Sequence, residues 1–230
     1  GLIFQGATTA NIFATNLIAQ AGQAGNFFVS ATRIDGDTID LTHYAFARVT
    51  NAPGNGVGVY EAWVDFDSAA FIAPNDVYVV CHTGSGWSPV DPIILAEADM
   101  DYGSMSNGDD GMCLVFGTEG SYTILDCLGD WKGDPGDAWD VAGVANATKD
   151  HTLVRKSSIT SGTSNWSSSA GTNPEDSQWM VLDLETWTYI GSHPHNSIGE
   201  DPVANAGNDI SIAPGDFVTL DGSLSYDGNG

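Results

Sequence analysis

The stretch that decides the fold runs from Asn107 to Lys156, NGDDGMCLVFGTEGSYTILDCLGDWKGDPGDAWDVAGVANATKDHTLVRK. Two apolar runs, Gly111 to Phe116 and Tyr122 to Leu128, flank GTEGS, a short glycine-containing connection of the kind that closes a β-hairpin. An acidic loop follows, GDWKGDPGDAWD, in which Asp130, Asp134, Asp137 and Asp140 stand among glycine and proline. Trp131 and Trp139 give this loop apolar surface to bury, so it reads as an ordered loop rather than a linker. The stretch closes on HTLVRK, a further strand.

The rest of the composition agrees with this pattern of strands and tight loops. The chain has 230 residues, 42% of them apolar, enough for a substantial core. Six Lys and Arg stand against 30 acids, a formal charge of −24, and the acids are 24 Asp and only 6 Glu. Glu suits helices, whereas Asp competes with the helical backbone and favours turns and caps, so the composition predicts an all-β chain with little helix. A charge of −24 strains a compact state unless salt screens it or cations neutralise it, which points to a saline or calcium-rich medium. Nucleic acid and anionic membrane are poor partners for such a surface. No apolar run reaches the roughly 20 residues needed to cross a bilayer as a helix, so no membrane insertion is expected.

Outward from the central stretch, residues 1–31 hold the apolar runs GLIFQ, NIFATNLIAQ and NFFVSA, with no charged side chain. Two readings stand: strands within the fold, or an arm that pairs with a neighbour's sheet edge. RIDGDTID is a turn, LTHYAFARV a strand, NAPGNGVG a loop and VYEAWVDFD a half-buried strand. IAPNDVYVVCH combines a turn with a continuous apolar run, the pattern of a strand covered on both faces. IILAEAD reads as a short helical turn or a brief strand. SGTSNWSSSAGTNPEDS is a polar excursion that Trp166 pins to the body, and QWMVLDLETWTYIGSH carries the last strand.

Two resemblances attach to these motifs. DVYVV, SNGDDG, YTILDCLGDWKGDPGDAWDVAGV, KDHTLVRKSSITSG and WTYIGSH occur in the order of the bacterial lamin-tail domain, which the segment from Asp76 to His193 resembles. That resemblance implies an immunoglobulin-like antiparallel β-sandwich, here with long acidic loops and a C-terminal extended segment. At the amino terminus NFFVSA departs from the family's pattern of an acidic residue between aliphatics. PVANAGNDISIAPGDFVTLDGSLSYDGNG is similar to the opening of a PKD-type domain, another extracellular β-sandwich. The expected organisation is a sandwich over 1–195, with 1–31 as the candidate arm, a linker at 196–202, and the first strands of an incomplete PKD-like unit over 203–230.

Calcium is the cofactor these residue types suggest, because it takes six to eight oxygens from carboxylates, carbonyls and water in flexible loops. Three acidic clusters offer them: Asp35 and Asp37 with Asp40; Asp109 and Asp110 with Asp99 and Asp101; and Asp130, Asp134, Asp137 and Asp140. The competing reading is turns and backbone caps made by the same side chains. Asp126 interrupts the apolar run ILDCL and needs donors if buried; Arg155 on the VRK strand supplies them, as a structural ion pair. Cys81, Cys113 and Cys127 lack metal-ligand spacing and read as small buried hydrophobes, with a Cys113–Cys127 bridge across the hairpin as the alternative. His43, His151, His193 and His195 stand in no catalytic pattern, and no serine sits in a nucleophile elbow.

These readings lead to a non-catalytic structural or adhesive module, extracellular or on a bacterial cell surface. Its expected partners are copies of itself or other β-sandwich subunits in an appendage, filament or particle, joined by strand exchange. The alternative is an accessory domain of a secreted hydrolase that binds polysaccharide through an aromatic surface of Trp63, Trp87 and Trp131.

Overall fold

The computed structural model describes residues 16–18, 29–32, 38–50, 58–73, 76–81, 91–103, 106–159 and 161–192. In chain order they form β1 (Asn16–Ile18), β2 (Val29–Thr32), β3 (Ile39–Asp40), β4 (Tyr44–Val49), β5 (Ala62–Asp65), β6 (Phe71–Ile72) and β7 (Val77–Cys81). Then come α1 (Pro92–Glu97), β8 (Met100–Asp101), β9 (Gly111–Thr118), β10 (Ser121–Leu128), β11 (His151–Arg155), α2 (Trp166–Ala170) and β12 (Trp179–Asp183). The described chain is mostly β, as the dominance of Asp over Glu predicts. Residues 193–230, and with them His193, His195, the expected linker and the PKD-like segment, lie outside the described residues.

The central hairpin seeds the largest sheet, ordered β10–β9–β4–β5 and antiparallel throughout. Side chains alternate across a strand, and here both faces are covered. Tyr44, Phe46, Met112 and Leu114 enter the main core, while Ala45, Ala47, Val49, Cys113 and Val115 join a second cluster on the opposite face. The main core also takes Tyr78 and Val80 from β7, Leu153 from β11 and Trp179 from β12. Sealing Phe46 to 1% exposure and Leu153 to 0% contributes about 1.5–3 kcal/mol each by area removed from water. All five residues of β7 are buried, as its unbroken apolar run predicts. Tyr78 and Val80 face the main core; Val77, Val79 and Cys81 meet Ile94 of α1, with Trp187 and Ile190 packed alongside.

Two smaller sheets, β1–β11–β12 and β2–β7–β8, stand beside the large one, with β3–β6 as a short ribbon. The expectation of purely antiparallel sheets needs one correction, because β7 and β8 run parallel. Such a pair needs a crossover, and α1 lies within it, capped by Asp91, whose side chain accepts from the Ile93 N–H. Of the uncharged amino-terminal residues, Asn16–Ile18 pair with β11 and Val29–Thr32 with β7, so each supplies an edge strand to a different sheet.

The hairpin carries a β-bulge. Ile124 pairs with Val115, but Asp126 pairs with Leu114, leaving Leu125 as the extra residue. Side-chain direction alternates strictly, so one inserted residue reverses everything after it. Were Leu125 paired regularly with Leu114, Asp126 would face Cys113 and Cys127 would face Met112. With the bulge, Asp126 shares the orientation of Leu114, and Cys127 stands opposite Cys113. The two cysteines are disulfide-bonded, with Cα atoms 4.1 Å apart, and the third, Cys81, is free and buried. Burial of all three therefore follows the expectation of small hydrophobes, but the bridge is the alternative that holds. The Cys127 N–H points away from β9 and donates to the Thr163 carbonyl at 3.0 Å, as a non-hydrogen-bonded cross-strand pair requires.

Candidate functional site

Asp126 and Arg155 come together as the sequence predicts. The Asp126 carboxylate accepts from Arg155 Nη2 at 2.9 and 3.1 Å and from the Thr163 N–H at 2.8 Å, and both charged side chains are fully buried. Arg155 Nη1 donates to Gln178 Oε1 at 2.9 Å, and its guanidinium lies 4.1 Å from the centroid of the Trp179 ring. The Trp179 indole N–H donates to Ser169 Oγ at 2.8 Å, and that hydroxyl lies 3.3 Å from Gln178 Oε1. Burial pulls the Arg155 pKa below its ordinary value, against the opposing pull of the Asp126 charge. Removing two charges from water costs several kcal/mol per ion, which the ion pair, its hydrogen bonds and the ring contact offset. The segment after β11 must also approach closely: a Cβ on Gly162 would lie 2.6 Å from the Asp126 carboxyl carbon, which leaves room for glycine alone. This arrangement ties β10, β11, β12 and α2 into one unit.

The acidic loop behaves differently. Asp130 accepts from the Lys132 N–H at 2.9 Å, Asp134 from the Gly136 N–H at 2.8 Å and Asp140 from the Asn146 N–H at 2.9 Å. Asp137 accepts from Lys149 Nζ at 2.6 Å, an exposed pair. Each carboxylate thus serves its own turn or a neighbouring cation, the local bonding open to Asp in irregular backbone. Thr148 stitches the loop to the preceding turn. Its hydroxyl donates to the Gly108 carbonyl at 2.6 Å and accepts from the Trp139 N–H at 2.8 Å. Gly108 has φ of +111° and a Cβ there would meet the Thr148 carbonyl at 2.5 Å, so the junction requires glycine.

The second acidic cluster is also dispersed. Asp110 pairs with Arg48 at 3.1 Å, Asp109 is buried with its carboxylate accepting from Asn107 Nδ2 at 3.3 Å, and Asp99 accepts from the Val79 N–H at 2.7 Å. Asp40, of the first cluster, accepts from the Thr42 N–H at 2.8 Å; Asp35 and Asp37 lie outside the described residues. Among the described residues, no group of three His, Cys, Asp or Glu side chains is arranged to hold a metal ion.

Of the three tryptophans expected on an aromatic surface, Trp87 lies outside the described residues and Trp131 is a core residue at 6% exposure, its indole N–H donating to the Gly58 carbonyl at 2.9 Å. Trp63 is half-buried on β5 and has partners that sequence reasoning missed: Tyr60 at 5.5 Å and Tyr122 at 5.3 Å between ring centroids. A period-two pattern marks Tyr122 as facing one side of β10, but only sheet order brings it beside Trp63.

The fold and bonding define a class, a mostly-β protein with a disulfide inside its central hairpin. Such bonds form and persist outside the reducing cytoplasm, so the protein is extracytoplasmic. No protein-family model matches the chain, and no curated protein matches it. Among solved structures it is similar to a DUF4876 family protein from Bacteroides thetaiotaomicron, with 10% sequence identity and a TM-score of 0.49, over 81% of this chain and 75% of that one. At that identity and overlap neither fold assignment nor function passes from one protein to the other.

Proposed function

We propose that this chain is a non-catalytic extracellular module, an immunoglobulin-like β-sandwich of the lamin-tail kind, that assembles with copies of itself or with other β-sandwich subunits on a bacterial surface. The observation that carries the reading is the role of the amino-terminal segment. Its two described strands, β1 and β2, supply edges to two different sheets, β1 beside β11 and β2 beside β7. An uncharged segment on a body of charge −24 escapes like-charge repulsion, and edge pairing asks only for backbone hydrogen bonds. The same edges therefore accept the same strands from a neighbouring subunit. The sandwich reading draws support from the main core, which β4 and β9 of the large sheet share with β7, β11 and β12.

Strand exchange is tested by cross-linking at the register pair Leu17 and Leu153. With Cys81→Ala to remove the free thiol, chains bearing Leu17→Cys are mixed with chains bearing Leu153→Cys and oxidised. Covalent dimers on a non-reducing gel are the expected result. If cross-links form only when both cysteines sit in one chain, and light scattering finds monomers throughout, the reading fails. In this reading calcium acts as a diffuse counter-ion of the acidic surface. Calcium and magnesium at equal millimolar concentration then raise the melting temperature equally, whereas a rise specific to calcium would indicate a built site.

A further inference from the structure

Where the acidic loop meets the turn before β9 there is a cavity of about 10 Å³, whose lining includes Ser106, Asp110, Gly129 and Trp139 with the apolar Met112 and Leu128. The Trp139 ring packs against the main core, its indole Nε1 is buried, and no acceptor for that N–H stands among the described residues. An indole N–H can only donate, so without an acceptor it carries the full cost of its desolvation. A Cβ on Gly129 would lie 2.8 Å from Trp139 Nε1 and 2.9 Å from the Asp110 carbonyl oxygen, so glycine here lets a donor and an acceptor converge. Ser106 is 4% exposed, and its hydroxyl oxygen accepts from the Gly108 N–H at 2.9 Å and the Asp110 N–H at 3.2 Å. Those two bonds use both lone pairs and leave the hydroxyl proton to donate.

We infer that this cavity is the binding site of a single water molecule, which accepts from the Trp139 indole and the Ser106 hydroxyl and donates to the Asp110 carbonyl. Three features select water. A volume of about 10 Å³ holds one water-sized molecule and nothing larger. The indole N–H presents the positive end of its dipole, which disfavours a cation, and no residue lining the cavity is cationic in a chain of charge −24, which disfavours an anion. Two donors and one acceptor make a polar site with the partners that an ordered buried water needs, whereas an apolar cavity stays dry. The water joins the acidic loop, through Trp139, to the turn that precedes β9. It stands beside the Thr148 hydroxyl, which links the Trp139 N–H and the Gly108 carbonyl directly. The site is separate from the edges used in strand exchange, and neither proposal depends on the other.

The test reads the assigned indole N–H protons of the full chain by nitrogen-15-edited NOESY and ROESY at the water frequency. The Trp139 indole is expected to show a water cross-peak that changes sign between the two spectra, the mark of direct contact with a water that stays as long as the protein takes to tumble. Trp131, whose indole N–H already donates to the Gly58 carbonyl, should show none. A hydroxyl proton in exchange with solvent can imitate such a peak, so oxygen-17 relaxation dispersion, which detects the water oxygen itself, is the second measurement. Trp139→Phe removes the indole donor and is expected to lose one long-lived water relative to wild type. If Trp139→Phe unfolds, the wild-type spectra decide the matter. No water cross-peak at Trp139, a cross-peak with the unchanged sign of proton exchange, or an undiminished water count in a folded Trp139→Phe protein would each overturn the proposal.

Discussion

Asp126 and Asp130 stand at the two ends of the short stretch DCLGD and meet opposite physical demands. Asp126 sits within a strand, is 0% exposed, and obtains its partners from elsewhere in the chain, Arg155 and Thr163. Asp130 lies just past the strand and accepts from the Lys132 N–H, within its own turn. The same side chain therefore acts as a long-range tie in one place and as local punctuation in the other. The consequence is energetic: a tie that organises four elements is costly to cut, whereas a turn bond is backed by water and by neighbouring backbone.

The largest cut within β10 is the deletion of Leu125. Removing this extra residue takes out the bulge but keeps Asp126 opposite Leu114 and Cys127 opposite Cys113, so what is lost is a buried leucine and not the alignment of the ion pair or the disulfide. The deletion protein is expected to show one free thiol by mass spectrometry, that of Cys81, and a cooperative unfolding transition lowered by about 2–5 kcal/mol. Three free thiols would mean that β10 slips by one residue once Leu125 is gone, and that the pair and the bridge do not hold the register.

Next in size is Asp126→Ala, which strands the Arg155 charge in the core. Breaking one side of a buried pair costs about 3–5 kcal/mol, read as a drop in the urea midpoint. The double replacement Asp126→Leu with Arg155→Met should recover most of this, because the apolar pair has no charge to desolvate. A loss of less than about 1 kcal/mol in the single variant would show that water reaches the pair. Opening the disulfide by Cys113→Ala with Cys127→Ala is a smaller cut. With the cysteines at a sequence separation of 14, loop closure predicts a cost of about 3 kcal/mol. The loop side of the comparison predicts far less: Asp134→Ala or Asp140→Ala removes one turn bond and costs at most about 1 kcal/mol.

The same contrast explains what the sequence makes legible. The hairpin, the ordered acidic loop and the Asp126–Arg155 pair can all be read from local pattern: apolar runs around a glycine turn, tryptophans inside a loop, one carboxylate interrupting ILDCL. What escapes is anything fixed by register or by partners distant in sequence. Leu125 is apolar and would be buried in either register, so nothing local marks it as the inserted residue. Gln178 and Ser169 look like ordinary polar residues until Arg155 and Trp179 are set beside them. Asp110 reads as a calcium ligand by proximity to other acids, yet its partner is Arg48, 62 positions earlier on a different strand. Tyr60 and Tyr122 likewise meet only through the order of strands in the large sheet.

The smallest expected effect is a pH dependence that belongs to local bonding alone. Asp176, exposed after α2, accepts from the Asn173 N–H at 2.9 Å, from the Thr172 N–H at 2.7 Å and from the Thr172 hydroxyl at 2.7 Å. These bonds favour the ionised form, and they hold its pKa below the ordinary value of 3.8, the Asn173 backbone bond leading. In the unfolded chain the bonds are gone and the carboxylate takes up its proton at the higher pH. Between the two midpoints the unfolded state binds more protons, so stability rises with pH there. The contribution is present above 3.8 and disappears as pH falls through the folded midpoint. NMR titration of the Asp176 carboxyl carbon should give a midpoint below 3.8, and Asp176→Asn should flatten the fall of the urea midpoint below about pH 4. Because Asp176 makes only turn bonds, that variant should leave the Arg155 environment, read from the Trp179 indole resonance, unmoved. A shift there would mean that the turn and the buried pair are coupled, and that the line drawn between local and long-range carboxylates is in the wrong place.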